Sequence, residues 1–218
     1  HRSFLADFFN GSFPGSFARG ADFQTNPETG DGRTNGSFAS LAGLEEALES
    51  GDADLIDLAI RRILMGHALI ASFGGIPLLY MGDEIGLLND DSYLADPERA
   101  EDGRWMHRPA MDWAATEAAE GPAARIREGT KAIMAARKGC AQLASDMPTR
   151  IVDLGHPAVF AFARLGEDRT VLCLFNFTER EHRVALAAAG LDGAGPLRDV
   201  LTGHVAEPQD GHVVLPPS

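Results

Sequence analysis

Three clusters in the 218-residue chain carry residue types that could do chemistry. The first closes the run Gly75-Ile-Pro-Leu-Leu-Tyr-Met-Gly-Asp-Glu84, where Asp83 and Glu84 are adjacent carboxylates. Cleaving a glycosidic bond with retention takes two carboxyl groups about 5 Å apart, one as acid and one as nucleophile. Neighbours on a strand point to opposite faces, so Asp83 and Glu84 do not readily flank one bond. The other reading is that they order loops at the rim of a sheet. The second cluster is Asp102-Gly103-Arg104-Trp105-Met106-His107-Arg108-Pro109. Here an aromatic face could stack on a sugar ring, and arginine offers a fixed fork of donors for hydroxyls or a carboxylate. A loop anchored by Trp105 with solvated charges fits the same residues equally well. The third is Asn26-Pro27-Glu28-Thr29-Gly30-Asp31-Gly32-Arg33. Without a following Lys-Ser/Thr it is not a phosphate-binding P-loop. Taken alone it reads as a multiple turn, with Arg33 beside Asp31 in a solvated ion pair of little energetic worth.

Other chemistries lack their spacing. His1, His67, His107, His156, His182, His204 and His212 form no HxxxH-type ligand pattern, and Cys140 and Cys173 form no CxxC. No GxSxG signals a serine nucleophile. No metal, cofactor or disulfide framework is therefore expected, and sparse cysteine points to a reducing compartment. With no signal-peptide pattern, a cytoplasmic location is the expectation. The balance of 19 basic and 32 acidic residues, 19 − 32 = −13, opposes nucleic acid and anionic membrane as partners. The best apolar run, Leu55 to Phe73, is broken by Asp57, Arg61, Arg62 and His67, so no bilayer span is expected. Asn-x-Ser/Thr triplets at Asn10, Asn35 and Asn176 are short enough to arise by chance.

The elements that must position these clusters fall into three regions. Residues 1–51 are rich in Gly, Phe and Asn, with turn signals at Asn10-Gly11, Pro14-Gly15 and Asn35-Gly36. They predict a loop-rich stretch between a helix over about 1–10 and another near 38–49; irregular stretches this long are usually functional. In residues 52–139, Asp52 or Asp54 can cap a helix over 54–73 whose wide apolar face suits packing on a sheet. Gly74-Gly75 end it. The apolar run Ile76–Met81 predicts a strand buried on both faces. A polar loop over 82–120 follows, then a helix over 122–138, with Pro122 in its first turn and Gly139 closing it. Residues 140–218 carry β-rich runs at Arg150–Leu154, Ala158–Arg164, Thr170–Phe177, His182–Ala187, Leu197–Leu201 and His212–Leu215. Short strands so spaced suggest an antiparallel sandwich. The predicted class is α/β followed by all-β.

The stretches HRSFLADFF, GSFARGADFQTNPETGDGR, GGIPLLYMGDEIGLLNDD and EDGRWMHRP resemble the amylosucrase and sucrose-hydrolase branch of the α-amylase superfamily. They cover the first half of the chain; the last third resembles the family's C-terminal sandwich in kind. The resemblance implies the C-terminal part of a (β/α)8 TIM barrel. Residues 1–51 would be a subdomain inserted after barrel strand 7. Residues 52–139 would supply helix 7, strand 8 and helix 8, and residues 140–218 a β-sandwich domain. It also implies a retaining glucosyltransferase that takes sucrose and α-glucan acceptors, or a hydrolase that uses water instead. The nucleophile, the acid/base and the stabilising aspartate of that family lie on earlier strands, so no catalytic residue is assigned in this chain. The implied substrate-binding residues are Arg104, at the floor of the glucosyl pocket with an aspartate partner from elsewhere; Arg33, on the fructosyl side with Asp31 nearby; and Arg2, lining the acceptor channel. Asp83 and Glu84 would stand at the active-site rim.

On this reading the chain alone is catalytically incomplete, and HRSFLADFF reads as the middle of a longer protein. Strand edges left open by one αβ portion of a barrel would make the chain poorly stable alone. Self-association or a missing N-terminal portion would cover them. A non-catalytic carbohydrate-binding piece is the remaining alternative, favoured by the sandwich-like tail.

Overall fold

The computed structural model describes residues 1–217 in two compact units. One comprises residues 1–63 and 79–128, the other 64–78 and 129–218.

In the first unit, α1 (Arg2–Phe9) opens the chain and ends at Asn10. Its phenylalanines form an edge-to-face cluster with those that follow: Phe4 meets Phe13 at 5.0 Å and Phe8 meets Phe17 at 5.1 Å between ring centres. Sequence alone marks residues 1–51 as loop-rich, but a hairpin lies within them. Strand β1 (Ala21–Phe23) pairs antiparallel with β2 (Arg33–Asn35), Phe23 opposite Arg33. Three-residue strands are too short to show alternation, which is why the pattern hides them. The expected helix near 38–49 is two: α2 (Phe38–Leu41), capped by the Ser37 hydroxyl, and α3 (Leu44–Ser50). Between them Gly43 adopts φ 98°, a left-handed turn that costs glycine little.

Helix α4 (Ala53–Phe73) begins where Asp52 Oδ1 accepts the amides of Asp54 and Leu55. Helix α5 (Trp113–Glu117) is capped by Asp112, and α6 (Gly121–Gly139) runs through Gly139 rather than stopping before it. Arg125 on α6 pairs with Asp57 on α4, which depresses the Asp57 carboxyl below its usual range.

One expectation is corrected. Residues 76–80 form no strand; no ladder joins them to any described strand. Ile76 is 90% exposed and Leu78 78% exposed. A buried parallel strand exists only between neighbouring strands, and every pairing among the described strands is antiparallel and leaves this segment out. No barrel closes.

The second unit is built on strands β3 (Thr149–Val152), β4 (Val159–Leu165) and β5 (Thr170–Asn176), all antiparallel. Alternation gives the sheet two apolar faces. Phe162, Cys173 and Phe175 pack with Leu143 against Met65, Ala68 and Leu69 of α4. On the other face Leu172 and Leu174 meet Val184, Leu186 and Val213. Val184 and Val213 belong to the pair β6 (His182–Ala185) and β9 (His212–Leu215), and Leu186 directly follows β6. A two-residue pair, β7 (Leu197–Arg198) with β8 (Val205–Ala206), completes the small antiparallel sheets.

Arg164, fully buried on β4, stands at the C-terminus of α4. It donates to the Phe73 carbonyl at 2.6 Å, Gln142 carbonyl at 3.2 Å, Ala144 carbonyl and Thr149 Oγ1 at 2.5 Å. Arg137 donates to the carbonyls of Ala71 and, at 2.8 Å, Gly75. Two cations thus satisfy carbonyls that a helix end leaves open, where the macrodipole also favours positive charge. Arg137 suits a helix C-terminus as its sequence position suggests, but the carbonyls it reaches belong to the last turn of α4 and to Gly75 just beyond it. Among the described residues no helix is long and apolar enough to cross a membrane.

Candidate functional site

The first unit ties together the segments that carry the expected site residues. Asn10 Nδ2 at the end of α1 donates to Asp22 Oδ1 on β1 at 2.7 Å. Asn35, ending β2, donates from its side chain to the Gly103 carbonyl. The 3-10 turn Gly103–His107 in turn meets residues 80–84: Arg108 Nε donates to the Tyr80 hydroxyl at 3.1 Å, and the His107 ring sits edge-on to Tyr80 at 5.6 Å. The segments of Arg2, Arg33, Arg104, Asp83 and Glu84 are therefore joined by short polar links.

Asn89 is the buckle of this unit. Its Oδ1 accepts the Ser37 amide at 2.8 Å, its Nδ2 donates to the Arg19 carbonyl at 2.5 Å, and its own amide donates to Ser40 Oγ at 3.0 Å. Nothing in local periodicity marks it, because its partners lie about 50 and 70 positions away in the chain. The Asp90 amide then donates to the Met106 carbonyl at 2.8 Å, anchoring the turn that bears Arg104.

Arg104 is half-exposed and held from its own loop. Its Nε and Nη2 donate to Asp102 Oδ1 and Oδ2, each at 2.8 Å, and its amide donates to Asp102 Oδ1 at 3.1 Å. This guanidinium holds the Asp102 carboxyl far down, at about 2. The two-point grip uses one edge of the fork and leaves the Nη1 donors for a second acceptor. Nearby, the Arg99 guanidinium lies over Trp105 at 4.5 Å, so the tryptophan is both loop anchor and cation platform.

Arg33 does not pair with Asp31 as the sequence suggests; its Nη1 donates to Gln24 Oε1 at 3.3 Å. The loop 26–31 is the multiple turn expected, with Asn26 Oδ1 accepting the amides of Glu28 and Thr29 and the Gly30 amide donating to the Asn26 carbonyl. The Asp31 amide is spent on Thr29 Oγ1. Arg2 lies exposed in the first turn of α1.

Asp83 and Glu84 begin a 3-10 turn, Asp83–Ile85, flanked by left-handed Gly82 and Gly86. Asp83 Oδ2 accepts the Tyr80 amide at 3.3 Å, and Glu84 Oε2 accepts the Gly82 amide at 2.9 Å. Burial pushes the Asp83 carboxyl up, the Tyr80 amide opposes this, and Glu84 adds to the rise. Each carboxylate thus secures an amide of its own turn. His107 is pushed down by burial and by Arg108, with Asp102 opposing, which favours the neutral imidazole. Burial raises the Cys173 thiol to about 11, which makes it a core residue rather than a nucleophile. Among the described residues no group of three or more His, Cys, Asp or Glu side chains could hold a metal ion.

No family model matches the chain. Solved structures do. AmyP in complex with maltose matches with a TM-score of 0.59 at 20% identity, over 72% of this chain and 33% of its own. The α-amylase of Geobacillus thermoleovorans, complexed with acarbose, gives 0.55 at 19% identity, over 84% of this chain and 35% of its own. A protein from Thermus thermophilus gives 0.54 at 26% identity, over 75% of this chain and 31% of its own. The chain spans about a third of the length of the structures it matches. Its fold is similar to part of the folds of AmyP and of this α-amylase.

Proposed function

We propose that the chain is part of an amylosucrase-type retaining glucosyltransferase, supplying substrate-positioning residues for sucrose while the reacting carboxylates come from outside it. The observation that carries this reading is Arg104: a half-exposed guanidinium fixed on one edge by Asp102, with donors remaining on the other. Such a group can bind a sugar hydroxyl, or a second carboxylate, without paying again to be ordered. The fold likeness to α-amylase-superfamily enzymes and the motif resemblance support it. On this reading Arg33, at the end of the hairpin joined to the Arg104 turn, contacts the fructosyl side, and Arg2 faces the incoming glucan. Asp83 and Glu84 shape the rim without reacting. The division into 1–51, 52–139 and 140–218 belongs to the same proposal. A sucrose hydrolase would use the same residues with water as acceptor.

The test is a sucrose titration of the chain followed by protein NMR. Sucrose is expected to bind in the millimolar range, and Arg104→Ala to weaken it about tenfold, the order of one charge-assisted hydrogen bond. Arg33→Ala should weaken sucrose but not glucose. Binding indifferent to both substitutions would refute the assignment.

A further inference from the structure

A cavity of about 240 Å³ opens in the first unit, lined by Ser37, Leu41, Tyr80, Met81, Asp83 and His107 among others. Its walls are mostly apolar, with two polar groups. His107 Nδ1 is buried and has no hydrogen-bond partner. Leaving such a nitrogen bare costs about 1–3 kcal/mol, so native proteins normally pair it. Asp83 commits Oδ2 to the Tyr80 amide and keeps Oδ1. Ser37 is already spent: its hydroxyl donates to Ser40 Oγ at 2.8 Å and accepts the Ser40 amide.

The chemistry of the occupant follows from these walls. An anion would meet Asp83, the neighbouring Glu84 and a chain of net charge −13. A cation would gain from Asp83 but would also meet Arg108, hydrogen-bonded to Tyr80 behind the same wall. A wholly apolar ligand would leave His107 Nδ1 unpaired. The volume lies below the ~300–1,000 Å³ of drug-sized sites, which favours one ring over a chain. We infer that this cavity takes a single neutral hydroxylated ring of the pyranose class, with Asp83 and His107 pairing its hydroxyls and the Tyr80 ring beside its apolar face. His107 is then a specificity-determining residue that the functional reading above does not use. The inference rests on that reading only in taking the ligand to be a sugar.

The test uses the whole chain with methyl α-glucoside as probe, followed by nitrogen-15 NMR of the histidine rings, with folding of each variant checked on the amide spectrum. Saturation is expected to shift the His107 Nδ1 resonance. His107→Phe keeps a ring against Tyr80 but removes the nitrogen, and should raise Kd about five- to tenfold. His107→Asn, which restores a polar atom near the Nδ1 position, should bring Kd back to within about twofold of wild type. Binding unchanged by His107→Phe but weakened by Arg104→Ala overturns the cavity assignment and spares the functional reading. Saturation without any shift at His107 does the same. No binding of either methyl α-glucoside or sucrose overturns both.

Discussion

Arg104 grips Asp102 through two parallel hydrogen bonds of 2.8 Å, and the same carboxylate accepts the Arg104 amide. A side chain two residues away thus holds the guanidinium before any ligand arrives. The consequence is electrostatic. The Asp102 carboxyl, held at about 2, lies below the 3.8 expected without partners. Its folded-state value is depressed, so the stabilisation it brings is present above about pH 4 and is lost as pH falls toward 2. Carbon-13 NMR should place the Asp102 midpoint near 2, and Arg104→Ala should return it to the ordinary aspartate range. An Asp102 midpoint that ignores Arg104 would show that the pair does not form in solution.

Asn89 joins three segments of the first unit through one amide group and its own backbone. Asn89→Ala should destabilise that unit by about 1–3 kcal/mol, because it strands the Ser37 amide and the Arg19 carbonyl. Hydrogen exchange should speed up at Ser37 and in the 103–107 turn, and stay unchanged in β3 to β5. A uniform change across both units would contradict this local role.

Arg164 and Gly74 form one device at the end of α4. Arg164→Met keeps much of the volume but removes the guanidinium from the Phe73, Gln142 and Ala144 carbonyls, although Thr149 Oγ1 still serves Phe73 and the Met147 amide still serves Ala144. A loss of about 3 kcal/mol or more is expected in urea unfolding followed through the second unit. Gly74 sits at φ 130°, and an added Cβ would collide with Arg164 Nη1. Gly74→Ala should therefore cost about 1–3 kcal/mol. Its effect should shrink in the Arg164→Met background, where the collision is relieved, but part of it should remain from the strained φ at Gly74.

Ile76 and Leu78 leave apolar surface on an unpaired extended segment. The chain should bind an apolar dye without denaturant and self-associate as concentration rises. Ile76→Ser with Leu78→Ser should reduce both. A dye signal that the double substitution leaves intact would place the exposed surface elsewhere.

Helix α4 was legible from its Asp52 cap, wide apolar face and closing Gly74-Gly75, α6 from Pro122 in its first turn and Gly139 at its end, and α1 as a short helix before the turn Asn10-Gly11. Strands β3 to β6 and β9 were legible from β-rich runs between turns. The hairpin β1–β2 and strand β8 were not, being two or three residues long; β7 falls at the start of the run Leu197–Leu201 but covers only two of its residues. The Ile76–Met81 run shows the opposite failure. Its composition fits a buried strand, but strand formation depends on neighbours that local sequence does not contain. Within the site, Arg104 was legible as a chemical type, yet its grip on Asp102 and the release of Arg33 from Asp31 depend on loop geometry. Asn35, Tyr80, Asn89 and the bare nitrogen of His107 escaped notice because their significance lies wholly in contacts distant along the chain.

The central claim is that this chain positions sucrose but does not cleave it. A single proton NMR time course of sucrose with the purified chain reads both halves. The account predicts saturation transfer from protein to sucrose and no free fructose, because the reacting carboxylates are proposed to lie outside the chain, while Asp83 and Glu84 each hold an amide of their own turn. Fructose release that survives repurification and is lost on Asp83→Asn or Glu84→Gln would contradict it.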